Sequence, residues 1–214
     1  MACNHKFQED LNLERLDFEP TTLIVGTFNP EWPKENKAQW FYGRTHDQNG
    51  NRNNSFWDVL PRLYGEPSLL NAGPVEWKKF CNRHKVALTD LIDGIEDANQ
   101  AQHIAAMGGY ADSIIAGRFH QHTFTDIAGL LKSHPTIKNV YLTRGEEQFW
   151  SNLWAPVALY AGQHGLHQEK LLTPSKNARF SMFKYNKRNP PQPFTMANLN
   201  DYILMRWREK WRIF

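Results

Sequence analysis

"LIVGTFNPEW", residues 23–32, is the stretch from which the rest of the chain can be read. Leu23, Ile24 and Val25 run into Gly26-Thr27-Phe28-Asn29-Pro30. An apolar run so bounded reads as a buried strand that the glycine and proline terminate. A strand stopping on Asn-Pro ends either in a plain turn or at the lip of a site. Outward from it, "TTLIVGTF" (21–28), "KVALTDLI" (85–92), "KNVYLTR" (138–144) and "QEKLLT" (168–173) all have strand character, with helical patterns between them. In "NSFWDVLPRLYG", Asn54 or Ser55 can cap a helix whose apolar residues Phe56, Trp57, Leu60, Leu63 and Tyr64 repeat at helical spacing. Gly65 stops that run, and Pro61 weakens its second half. "PVEWKKFCNRH", "FTDIAGLLKSH" and "NLNDYILMRWREKW" are further amphipathic segments. Strands separated by helices predict an α/β fold, a three-layer αβα sandwich with a mainly parallel central sheet, in one domain over 1–214. Such sheets bind ligands beyond the carboxyl ends of their strands. Those ends are "GTFNP", "LTDLID", "TRG" and "LLTPSKNAR", so "TFNP" is predicted to belong to a site.

The 214 residues suffice for one sizeable core, with ordinary contents of hydrophobic (41%) and charged (22%) residues for a globular chain. No apolar run approaches the ~20 residues of a membrane span, and "MACNHKFQED" lacks a secretory pattern. These features predict a cytoplasmic protein with Cys3 and Cys81 as free thiols, too few for a four-cysteine iron–sulfur cluster. Net charge is only +3, but it is unevenly spread. From Lys176 onward nine Lys and Arg residues face two acids, leaving 16 basic and 20 acidic residues before it. A polyanion partner would suit such a segment, and so would a merely solvated basic helix.

Several segments, taken in order, resemble the uracil-DNA glycosylase superfamily. "LIVGTFNP" resembles its first motif, a strand ending in Gly-x-x-Pro. "WFYG…NNSFWDVL" is similar to the aromatic pair and Asn-x-Phe-Trp of the mismatch-specific and hypoxanthine branches. "VALTDLIDG" with the later "YADSII" resembles the second-strand aspartate and downstream Asp-Ser of the hypoxanthine branch, and "LLTPSKNAR" the last motif before a DNA-facing loop. The resemblance spans about residues 21–185 and implies a monofunctional DNA glycosylase. Such an enzyme hydrolyses the N-glycosidic bond of a deaminated base, uracil or hypoxanthine, in base-excision repair, with no metal or organic cofactor. Three features depart from the pattern. Phe28 stands where the first motif usually carries a water-positioning Asp or Asn, with Asn29 one residue later. Residues 44–53, "RTHDQNGNRN", form a polar insertion, and Thr173 replaces the histidine of the most active branches.

Base excision needs an extruded base, stabilisation of its developing negative charge, and water at the oxocarbenium-like sugar. The catalytic candidates are Asn29, Asn54 and Asp90. Asn29 is biased off helix by Pro30 and is otherwise a turn residue; Asn54 caps, scaffolds, or contacts base or water. Asp90, late in a buried strand, activates water, accepts from a base N–H, or caps a turn. Phe28, Phe41 and Tyr42 are the base-binding candidates, the resemblance favouring Tyr42 as a stacking platform; the alternative is a hydrophobic plug. Phe56 and Trp57, at helical spacing, read as core. Ser175, Lys176, Asn177 and Arg179 are placed to grip DNA phosphates, or else form an exposed polar loop. No metal site is expected; "HQH" (120–122) in a helix or turn would put its histidines on different faces. Two other functions stay open: a glycosylase-like module that binds lesions without cutting, and an enzyme acting on free nucleotides. All of this requires Asp90, Tyr42 and Ser175 to meet in one cavity.

Overall fold

The computed structural model describes residues 2–33, 38–46, 53–108, 111–145 and 147–213; residues 47–52 of the polar insertion, and Tyr110 of "YADSII", lie outside them. Its centre is a four-stranded parallel sheet of β2 (Thr22–Gly26), β3 (Val86–Asp90), β6 (Asn139–Leu142) and β7 (His167–Lys170), in the order β3-β2-β6-β7. These are the four predicted strands, the last displaced toward His167. A second, antiparallel sheet joins β1 (Cys3–Asn4), β4 (Ile92–Ile95) and β5 (His122–Phe124) in the order β1-β4-β5. Its strands are too short to show a period in the sequence. His122, expected in a helix or turn, opens β5, where its Nε2 donates to the Ile115 carbonyl at 3.1 Å.

Alternation along the central strands divides the interior in two. Leu23, Val25, Ala87, Val140 and Leu142 face one core, and Ile24, Val86, Leu88 and Tyr141 the other. The first core is roofed by α4 (Gln100–Gly108), α5 (Asp112–Arg118), α6 (Ile127–Ser133) and α7 (Gln148–Gln163), whose Trp150, Trp154, Val157 and Ala161 recur at helical spacing. The second lies under α1 (Gln8–Leu11), α2 (Phe56–Leu63), α3 (Pro74–His84), α8 (Ala178–Arg188) and α9 (Leu199–Arg208). This is the three-layer α/β architecture, with helices on both faces of a parallel sheet.

Pro61 does not break α2. Having no N–H, it leaves the Trp57 carbonyl without its helical donor, and Leu69 N–H supplies one at 2.8 Å. Phe56 and Trp57 are fully buried, Trp57 stacked on Trp77 with centroids 4.9 Å apart. The basic segment splits in two. On and after α9, Arg206 pairs with Glu209 (3.1 Å) and Lys210 with Glu169 (2.9 Å), whereas α8 has no acid in its sequence. Both cysteines are free and buried; burial pushes the Cys3 thiol up to about 11 and raises that of Cys81 as well. No helix among the described residues is long and apolar enough to cross a membrane.

Candidate functional site

The carboxyl ends of all four parallel strands open into one cavity of about 580 Å³, a size suited to a small organic ligand. Thr27, Phe28 and Asn29 line it after β2, Asp90 at the end of β3, Thr143 and Arg144 after β6, and Thr173, Pro174 and Ser175 beyond β7. Tyr42, Arg44, Asn53 and Asn54 close one side, and Ala111, Asp112 and Ser113 another. Asp90, Tyr42 and Ser175 therefore share a cavity, although the chain separates them widely.

Asp90 is only 2% exposed, and its two oxygens have different surroundings. Oδ2 accepts from Asn29 Nδ2 at 2.6 Å and lies 2.8 Å from Nε2 of His5, which is fully buried at the side chain. The second ring nitrogen of His5, Nδ1, accepts the Phe7 backbone N–H at 3.0 Å, so Nε2 carries the proton and donates it to Asp90. Oδ1 has no donor among the described residues. It lies over Gly26, where a Cβ would overlap it and stand 2.9 Å from the Tyr42 hydroxyl. The glycine that ends β2 thus lets a carboxylate and a phenol approach the backbone from the cavity side.

Tyr42 adopts φ +56°, a left-handed conformation uncommon for a bulky residue. Its ring stacks on Phe56 at 3.8 Å between centroids and 5° between planes. The Thr143 hydroxyl turns toward the Val25 carbonyl (3.4 Å), so the phenol is the donor of the 2.6 Å bond between Tyr42 and Thr143. Burial, then the nearby Asp90 carboxylate, raises the phenol well above its ordinary value. Tyr42 is a protonated donor across the physiological range.

Asn54 works as scaffold. Its Oδ1 accepts the Phe56 N–H at 2.8 Å, at the start of α2, and its backbone forms an antiparallel bridge with Ser175. Ser55 N–H donates to the Pro174 carbonyl at 2.7 Å, which ties the loop before α2 to the loop after β7. Nδ2 of Asn54 has no acceptor among the described residues. Ser175 Oγ accepts from Thr173 Oγ1 and from the Asn177 N–H, both at 3.3 Å, leaving its own proton available to an anion.

Sequence reasoning assigned no role to the opposite wall. Asp112 accepts from Thr27 Oγ1 at 2.8 Å and pairs with Arg144 at 3.0 Å, while Arg144 reaches Glu147 at 2.6 Å. Burial raises the Asp112 carboxyl above its ordinary 3.8; Arg144 and Thr27 oppose the shift, and Asp90 and Glu147 add to it. The folded chain therefore holds this proton to higher pH than the unfolded chain does. As pH rises from 3.8 toward the folded value the unfolded state releases its proton first, and stability falls. Asp112→Asn is expected to remove that decline, which urea midpoints recorded across the acid range would show as a flatter profile.

His5 was also missed, because a lone histidine 85 residues from its partner leaves no local pattern. Its neighbour Cys3 pairs with Ile95, and His5 itself bridges to Pro30, which brings the ring under the β3 end. Phe41 corrects an expectation. It is fully buried among Trp40, His5 and Phe7 and does not line the cavity, because the left-handed turn at Tyr42 brings that ring to the cavity instead. Phe28 lines the cavity but is 4% exposed, edge-on to His5. Of the phosphate candidates, Ser175 and Asn177 line the cavity, while Lys176 and Arg179 lie outside its lining. Among the described residues no three His, Cys, Asp or Glu side chains are grouped as a metal ion would require.

No family model matches the chain, and no curated protein matches it either. Among solved structures, a solution NMR structure from Methanosarcina acetivorans, provisionally described as a uracil DNA glycosylase, is similar over 91% of this chain and 92% of its own. The two are 16% identical with a TM-score of 0.49, a likeness that says nothing of what this chain does.

Proposed function

We propose that this chain is a DNA glycosylase that removes a deaminated base, uracil or hypoxanthine, by hydrolysing its N-glycosidic bond. One observation carries the reading: a carboxylate with one undonated oxygen, an amide with an undonated N–H pair and a stacked aromatic platform line the same cavity. In this reading an extruded base enters the cavity and stacks against Tyr42, whose other side rests on Phe56; such stacking is worth about 1–3 kcal/mol. Oδ1 of Asp90 accepts a proton from water as the water oxygen bonds to the sugar C1′. The C1′–N bond breaks, and the electron pair leaves with the base, where Asn54 Nδ2 is the nearby donor with no other acceptor among the described residues. Ser175 and Asn177 take the flanking phosphate, and Lys176 and Arg179 add attraction from outside the cavity.

The test is incubation with labelled oligonucleotides carrying uracil, hypoxanthine, xanthine or mismatched thymine. Abasic product from the uracil or hypoxanthine strand is expected; none from any strand at enzyme excess removes the catalytic claim. One observation favours a binding-only reading: Asn29, the amide nearest the usual water-positioning place, has its Nδ2 engaged by Asp90. Preferential binding of a lesion whose base stays intact would select it.

A further inference from the structure

Helix α8 carries two large apolar side chains that the described structure leaves open, Phe180 at 58% exposure and Phe183 at 46%. Its inner face is occupied by the buried residues Ala178, Met182 and Asn186, one turn apart. At 3.6 residues per turn, Phe180, Phe183, Lys184 and Lys187 fall together on the opposite face, and no acid interrupts them. The stripe starts at the cavity, whose lining includes Asn177 and Phe180. The Arg179 guanidinium lies 4.9 Å from the Phe180 ring centroid, covering one face of the ring and leaving the other.

We propose that this face of α8 binds single-stranded DNA leading out of the cavity, with bases stacked on Phe180 and Phe183 and phosphates met by Lys184 and Lys187. The proposal rests on the reading that the cavity takes a nucleobase, which gives the strand its starting point. Rings alternating with cations match a polymer that presents one π-face and one negative charge per unit. The two phenylalanines are separated by about 4.5 Å along the helix axis, within reach of successive bases. A duplex keeps its base faces covered by each other and offers this stripe only phosphates, so the phenylalanines select the unpaired strand.

Binding of a lesion-free labelled oligothymidylate, and of a mixed-sequence duplex of the same length, is measured by anisotropy over a range of salt. Phe180→Ala with Phe183→Ala is expected to weaken the single strand about thirtyfold or more, to leave the duplex nearly unchanged, and to keep the salt slope, since no charge is lost. Lys184→Gln with Lys187→Gln is expected to flatten the single-strand slope by about 1.4. Equal loss on both probes, or unchanged single-strand affinity in the phenylalanine variant, overturns the proposal. So does sedimentation showing that the phenylalanines serve only to pair two copies of the chain. Neither probe contains a lesion, so failure to excise would sink the proposed activity alone. Normal excision with an unaltered single-strand affinity in the phenylalanine variant would sink this inference alone.

Discussion

Gly26→Ala is expected to remove base excision from a chain that still folds. The added methyl overlaps Oδ1 of Asp90 and stands 2.9 Å from the Tyr42 hydroxyl. Neither neighbour is a loose tip that could swing aside. Asp90 is held by His5 and Asn29, and Tyr42 is clamped between Thr143 and Phe56. The strand itself cannot retreat, since Gly26 pairs with Asp90 across the sheet and the strand is buried throughout. Overpacking of this kind costs about 1–3 kcal/mol, which lowers Tm by several degrees at roughly 2–4 °C per kcal/mol for a chain of this size. Displacing the carboxylate by about 1 Å should lower single-turnover excision about 100-fold or more. Normal turnover in this variant would show that the close approach does not set the reacting geometry.

Asp90→Asn should separate chemistry from binding. An asparagine keeps the size of the side chain, and its carbonyl oxygen can take over Oδ2's place, accepting from His5 Nε2 and Asn29 Nδ2 as before. What is lost is the charge and the proton acceptor facing the cavity. Turnover is expected to fall about 10²–10⁴-fold, with affinity for the same lesion strand little altered and Tm close to that of the parent. Loss of the charge also removes one cause of the raised Asp112 and Tyr42 values, so both groups should titrate lower. Asp90→Ala is the contrast. It leaves the buried His5 donor without an acceptor, at about 1–3 kcal/mol, and frees the half-buried Asn29 amide, and so confounds folding with catalysis. Full activity in Asp90→Asn would move water activation to another group.

Most of the sheet was legible because β2, β3 and β6 are largely apolar, fully buried runs with punctuated ends, whereas β7, the polar and half-buried His167–Lys170, was marked only by the apolar residues just after it. Beyond Gly26 and Asp90, the strand ends also pointed to where a cavity would be. Other parts left no trace of the right kind. Strands β1, β4 and β5 are too short for a period, and they are what carry His5 to Asp90. The choice between Phe41 and Tyr42 depended on a single left-handed residue, which no propensity assigns to tyrosine. Asp112 stood in the segment "YADSII", yet its pairing with Thr27 and Arg144 joins the start of α5 to two loops remote in sequence. The basic segment misled by its total: α9 and the residues after it pair part of their charge internally, and α8 carries its own outward.

The contacts that shape the cavity span 85 residues from His5 to Asp90, 101 from Tyr42 to Thr143, and 145 from Ser55 to Asn200 on α9. Loops of that length close slowly, and the rewards for closing them come only at the finish. A chain that had assembled its sheet but not yet docked its final helix would own the strands and lack the Asn200 tie to Ser55, the neighbour of Asn54 in the cavity wall. Formation of the cavity is therefore expected to come late, with the closure of these distant contacts.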